Sequence, residues 1–171
     1  MDTAHDLYDP TAEPPTVGNH DGFDIYPMPV WLSLESPNPS ATVEFLTTGL
    51  GLSTVFTGPE IGGLPMLTHL RLGRYQDILV SPARGGVNAG TGLVPTLMHA
   101  DVDGLAEQLA LAGAADAIVD GPVDRPWGAR ELVVTTPDGH RLGFSQPPAA
   151  PPSGTVDEAM ARMADDFEVG G

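Results

Sequence analysis

Two tryptophans, Trp31 and Trp127, one carboxylate, Glu35, and one guanidinium, Arg141, are the side chains of this 171-residue sequence best suited to act on a small molecule. An indole is a large flat apolar surface on which a planar or conjugated guest can stack, with about 0.5–1.5 kcal/mol beyond simple area burial. A carboxylate buried beside an indole holds its proton more tightly, which is what a general base working near neutrality requires. Arg141, with Arg130 expected nearby, offers a partner to a carboxylate or phenolate. Paired with each other, Glu35 and Arg141 would be inert, and the sequence leaves these outcomes open. Metal chemistry has less support. There are no cysteines, which removes thiolate nucleophiles, disulfides and Cys-based metal sites, and His69, His99 and His140 each stand alone in strand-like segments.

These residues need elements to hold them, and the pattern of elements comes twice. VWLSLES (30–36) alternates as a strand and ends at a Pro-Asn-Pro break. Asn38 then reads as an N-cap, Pro39 as the first helical residue, and Val43, Leu46 and Leu50 as one helical face. STVFTG (53–58) and the pair within 66–82, turning at Gly73-Arg74, supply three more strands, with GPEIGGLP as a separator. The second pass starts with VPTLMHA (94–100). Its helix spans about 103–112, capped by Asp101 or Asp103, with Leu105 and Leu109 buried and Gly113 at a left-handed C-terminal position. ADAIVDGP, GARELVVTTP and HRLGFSQP complete it, the last two joined by a two-residue turn at Asp138-Gly139. The fold class expected is α+β, two tandem βαβββ modules, each unable to close its own sheet and therefore packed together or exchanged between chains.

Composition marks the ends. Seven arginines and no lysine face 23 acidic residues, for a net charge of −16, which argues against a phosphate-backbone partner because nothing would neutralise it. Residues 1–28 hold six acids and no Lys or Arg and are expected to be a flexible acidic extension. QPPAAPPSG opens a proline-rich linker, and 148–171 ends in a short acidic helix with Val156, Met160 and Met163 at helical spacing. The domain between is expected at 29–147, with module one at 29–83 and module two at 92–147. The N-terminus has no apolar signal region and no run of about 18 apolar residues occurs, so a cytoplasmic protein without a membrane partner is expected.

The double βαβββ order, the helix ending FLTTGLGL, the stretch DVDGLAEQL before AGA, and the run DRPWGARELVVTTPDGHRLGFSQP together resemble the vicinal oxygen chelate superfamily, the glyoxalase, bleomycin-resistance and extradiol dioxygenase group. The resemblance covers roughly residues 29–147. It implies curved mixed sheets forming a cleft, often completed across a homodimer, with metal ligands at the start of the first strand and near the middle of the last strand of each module. Counted from the helix landmarks and from Ser81-Pro82 and Gln146-Pro147, those places fall on Trp31, Ile78, Val94 and Gly143, none of which can coordinate a divalent ion.

Strand parity assigns the rest of the cleft, because residues two apart share a face. Leu32 and Leu34 match the core, as do Leu142 and Phe144. That leaves Trp31, Ser33 and Glu35, Thr96 and Met98 beside Val94, and Arg141, Gly143 and Ser145 on the cleft side, with Trp127 in the PWG loop. By the same count His99 and His140 point away from the cleft, the register of His69 is not fixed, and Asp77 reaches the cleft only if the register slips by one. With no side chain at Gly143, the cleft floor is expected to gain room. The resemblance then implies a metal-independent homodimer, with no cofactor, that sequesters an aromatic or cationic natural product and gives antibiotic resistance. The alternative is a metal-free enzyme of the same fold, an isomerase, cyclase or lyase with Glu35 as general base; a metal-dependent lyase or dioxygenase requires a different register.

Overall fold

The computed structural model describes residues 18–26, 28, 30–86, 92–148 and 158. The acidic C-terminal helix expected within 148–171 and the first seventeen residues of the N-terminal extension lie outside them, apart from Pro148 and Glu158. The chain divides into two compact units, one within Met1–Val43 and Leu52–Val87, the other within Glu44–Gly51 and Asn88–Gly171.

In the first unit, β1 (Gly18–His20) and β2 (Phe23–Ile25) form a small antiparallel hairpin. Its turn is Asp21-Gly22, both at positive φ, the backbone that a two-residue turn of this hand demands and that Asp and Gly tolerate best. The four-stranded sheet one follows: β3 (Trp31–Ser36), β4 (Ser53–Thr57), β7 (Thr68–Gly73) and β8 (Gln76–Pro82), in the order β3-β8-β7-β4. The first and last strands pair in parallel and the others antiparallel. Between β4 and β7 the segment read as a separator carries a two-stranded hairpin, β5 (Glu60–Ile61) with β6 (Leu64–Pro65).

Helix α1 (Pro39–Glu44) begins where the sequence places it, with Asn38 Oδ1 accepting from the Ala41 N–H at 3.3 Å. The hydroxyls of Ser36 and Thr42, both fully buried, satisfy each other at 3.0 Å. The helix widens into a π-helical turn over Phe45–Gly49, which belongs to the second unit. Gln108 donates to the Thr48 carbonyl at 3.0 Å.

Sheet two repeats the plan: β9 (Thr96–Met98), β10 (Ile118–Asp124), β11 (Arg130–Thr135) and β12 (Arg141–Gln146), in the order β10-β11-β12-β9, with β9 and β12 parallel. Helix α2 (Val102–Leu111) connects β9 to β10. Asp101 is its N-cap, accepting from the Gly104 N–H at 2.9 Å, and Gly113 sits at φ +73 just beyond its end. Leu105 and Leu109 of α2, Leu132 and Val134 of β11 and Leu142 and Phe144 of β12 are the buried core of this unit. The β11–β12 connection differs from the two-residue turn expected. Thr136 and His140 close a loop of three residues, Pro137-Asp138-Gly139, with Gly139 at φ +86. Proline at the first central position favours this type I turn followed by a left-handed glycine. No helix among the described residues is long and apolar enough to cross a membrane.

Candidate functional site

Each sheet has one face made of buried apolar residues and one made of mixed side chains. In sheet one Leu34, Leu70, Ile78 and Val80 are buried. The opposite face carries Trp31, Ser33 and Glu35, all exposed, and the ladder register sets their neighbours. Trp31 lies beside Asp77, Ser33 beside Leu79 and Glu35 beside Ser81. On the far side of β8, Arg71 lies beside Asp77 and His69 beside Leu79.

This register corrects the sequence reading at β8. Ile78 is fully buried on the apolar face, and the residues that share the face of Trp31 are Asp77, Leu79 and Ser81. The slip comes from aligning Pro82 with Pro147: Pro82 is still in the ladder opposite Ser36, whereas Pro147 lies beyond the end of β12. Aligned instead on the helix caps Asn38 and Asp101, Trp31 matches Val94 and Glu35 matches Met98. The last-strand positions then match as Leu79 with Gly143 and Ser81 with Ser145.

Asp77 is 1% exposed and its two oxygens are both engaged. Oδ1 accepts from Arg71 Nε at 2.7 Å and lies 2.7 Å from His69 Nε2, and Oδ2 accepts from the Tyr26 hydroxyl at 2.9 Å. The tyrosine arrives from the N-terminal segment, whose hairpin is tied down by Arg71 donating to the Asp24 carbonyl at 2.9 Å and by an Asp24–Arg74 ion pair at 3.7 Å. At this end of the face Asp77 is therefore covered by the chain itself, while Trp31 beside it stays half exposed.

The Glu35 end is open. Four residues along the strand, about 13 Å away, Glu35, Ser81 and Arg84 meet Ile61 and Met66 of the β5–β6 region around an open pocket of about 360 Å³. Ile61 is 67% exposed and Met66 48%, a placement that leaves apolar surface available to a guest.

In sheet two, Met98, Ser145 and Glu131 form one cross-strand row, Thr96, Gly143 and Val133 the next, and Arg141 with Thr135 a third. Trp127 joins the first row: its Nε1 donates to Glu131 Oε1 at 3.0 Å. Ser145 Oγ donates to the same oxygen at 3.4 Å, and Arg125 Nε to Oε2 at 3.2 Å. Arg125 also binds Asp120, and that contact first, then Glu131, strengthens the guanidinium's hold on its proton. Trp127, Met98 and the fixed carboxylate of Glu131 thus share a face, with both apolar side chains about half exposed.

Two expectations for sheet two are corrected. The room expected at Gly143 is already filled, since a Cβ built there would come within 2.5 Å of Thr96 Oγ1. Arg130 does not join Arg141. It pairs with Gln146 in the ladder, on the helix side, where it grips Asp103 of α2 through two bonds of 2.6 and 2.8 Å and Asp124 through one of 2.9 Å. The Arg130 bond holds the Asp103 carboxyl below the ordinary carboxylate range. His99 packs edge-on against buried Phe144, away from the Met98 face.

Within each unit, then, the structure groups Trp31, Ser33 and Glu35 on one face, and Thr96, Met98, Trp127, Arg141, Gly143 and Ser145 on another. Sequence reasoning missed Tyr26 and Glu131. Glu131 was legible, since it alternates with buried Leu132 and Val134; Tyr26 was not, since its partner Asp77 is 51 residues away.

The positions at which the resemblance implies metal ligands, Trp31, Leu79, Val94 and Gly143, carry no side-chain donor suited to a divalent ion. The carboxylates nearest to them, Asp77 and Glu131, spend their oxygens on internal donors. Among the described residues no three His, Asp or Glu side chains are grouped to hold an ion.

No family model matches the chain, and no curated protein does. Solved structures do. TioX from Micromonospora sp. ML1 is 23% identical with a TM-score of 0.54, over 75% of this chain and 98% of that one. TnmS3, described as an antibiotic binding protein from Streptomyces sp. CB03234, is 21% identical with a TM-score of 0.55, over 68% and 93%. A glyoxalase/bleomycin resistance protein from the same Streptomyces is 20% identical with a TM-score of 0.55, over 68% and 97%. The chain has the fold of these glyoxalase/bleomycin-resistance-like structures.

Proposed function

We propose that this chain binds a small, partly aromatic or cationic natural product without a metal ion, as a cytoplasmic homodimer that protects by sequestration. One observation carries the reading. The strand positions Trp31, Leu79, Val94 and Gly143 present an indole, two aliphatic groups and a bare backbone, while Trp31 in the first unit and Met98 and Trp127 in the second stand about half exposed and the first unit carries an open pocket of its own. A pocket of about 360 Å³, lined by Ile61 and Met66 together with Glu35, Ser81 and Arg84, lies in the range used by small ligands. Glu35 at its rim, within a chain of net charge −16, favours a cationic group. The description of TnmS3 as antibiotic binding supports the same reading.

The test is a titration of purified protein with antibiotics of differing charge and ring content, followed by tryptophan fluorescence, with Trp31→Phe and Trp127→Phe separating the two emitters. A ligand that binds while quenching neither tryptophan would remove the stacking account. One equivalent of zinc, iron, manganese or nickel per chain in the purified protein would end the metal-free one. The second reading, a metal-free enzyme with Glu35 as general base, draws support from the place of that carboxylate at the pocket. Glu35→Gln decides between the two: a binder keeps most of its affinity for a neutral ligand, whereas an enzyme loses turnover with binding largely intact.

A further inference from the structure

Tyr26 is 5% exposed, although it belongs to a short segment with few apolar residues. What it meets is a complete receptor for its own side chain. The hydroxyl donates to Asp77 Oδ2 at 2.9 Å and accepts from the Tyr75 backbone N–H at 2.7 Å. The ring lies under the Arg71 guanidinium, 4.4 Å from its centroid, with Arg74 at 5.5 Å, and the Tyr75 ring stands edge-on at 4.9 Å.

All of these partners come from β7, β8 and the turn between them. Arg71 and Asp77 are cross-strand neighbours in that ladder, and Arg71 and His69 hold Asp77 Oδ1 through contacts separate from that of Tyr26 with Oδ2. The groups that meet the ring and its hydroxyl thus belong to the hairpin itself, with Arg71 and Arg74 also contacting Asp24. Its chemistry is selective: the guanidiniums require a π face, and the Asp77 and Tyr75 contacts require one atom that both donates and accepts, as a hydroxyl does. Burial pushes the Tyr26 hydroxyl above its ordinary range, so Tyr26 sits there as the neutral phenol.

We propose that the β7–β8 hairpin is a phenol-binding site that the chain fills with its own Tyr26, and that a phenolic ring of the ligand replaces Tyr26 and lifts residues 18–26 off the sheet. The second half of this rests on the proposed function; the first half does not.

The experiment uses the full chain carrying Tyr26→Ala, with phenol, anisole and toluene as probes. Phenol at ten times its dissociation constant should raise the melting temperature by about 3–6 °C. Anisole, which cannot donate, and toluene, which can do neither, should fall well short. Adding Asp77→Asn should erase the preference for phenol. Should Tyr26→Ala not fold, hydrogen exchange on the unmodified chain gives the answer: saturating phenol should speed exchange in the peptide covering 18–26, and Tyr26→Phe should tighten phenol binding about tenfold or more, since the competitor has lost its hydroxyl. Equal stabilisation by all three probes, or unchanged exchange at 18–26, would overturn the proposal. Antibiotics that still quench Trp31 or Trp127 after such a result would leave the sequestration reading standing. Phenol rescue without any antibiotic binding would leave the site standing and remove the sequestration.

Discussion

Asp77 stands directly beside Trp31 across the parallel β3–β8 ladder, so a carboxylate and an indole rise from the same face of sheet one. The carboxylate is buried and saturated by Tyr26, His69 and Arg71, while the indole is 49% exposed. One strand end thus combines a closed polar cluster with an open aromatic surface.

Removing the carboxylate exposes its role. In Asp77→Ala, the guanidinium of Arg71, itself only 9% exposed, would be left without its counter-charge. Such uncompensated burial costs about 3–5 kcal/mol. A urea melt of the variant should show a midpoint lowered accordingly, and Arg71→Met together with Asp77→Ala should recover part of the loss. A single variant as stable as the parent would mean the cluster contributes nothing.

How much of this was written in the sequence depends on the strand. Module two was legible because Leu142 and Phe144 alternate cleanly with Arg141, Gly143 and Ser145, so parity assigned their faces. In β8 the run Ile78-Leu79-Val80 is apolar throughout, carries no alternation, and left the register to a proline that occupies different places in the two modules. The caps Asn38 and Asp101 sit three residues after Glu35 and Met98 in both modules and were the better rulers. The covering of Asp77 was not legible at all. GNH and FDI lack the alternation of a strand, and the contact that gives them meaning, Tyr26 to Asp77, is a pairing of two polar groups that no local pattern announces.

At Gly143 the absence of a side chain serves Thr96. Alanine there would put a Cβ about 2.5 Å from Thr96 Oγ1 and 3.3 Å from its Cβ and Cγ2. Overpacking of this kind costs about 1–3 kcal/mol. Gly143→Ala should lower the melting temperature, and Thr96→Gly should restore most of it in the double variant. An additive cycle would show that the two positions do not share space.

The Tyr26 anchor makes stability depend on alkaline pH. Burial raises the pKa of its hydroxyl above 10.0 in the folded chain, so between the unfolded and folded pKa values the folded state holds one more proton than the unfolded one. Stability is then full below the unfolded pKa and falls as pH rises through the folded pKa. Tyrosinate absorbance should show a late-titrating tyrosine, and melting temperatures measured above pH 10 should fall less steeply in Tyr26→Phe than in the parent. Parallel curves for the two proteins would contradict the assignment.

On sheet two the readiness of Trp127 to stack rests on Glu131. The indole N–H bond at 3.0 Å is its link to a carboxylate that Arg125 and Ser145 also hold, so the ring is pre-oriented before any guest arrives, and ordering it on binding adds little entropy cost. In a Trp31→Phe background, where Trp127 alone emits, Glu131→Ala should lower the steady-state anisotropy of the indole and leave Arg125 to Asp120. Any antibiotic that stacks on Trp127 should then bind more weakly, chiefly through faster dissociation. Unchanged anisotropy with weakened binding would place the effect in the lost charge of Glu131 instead of the orientation of the ring.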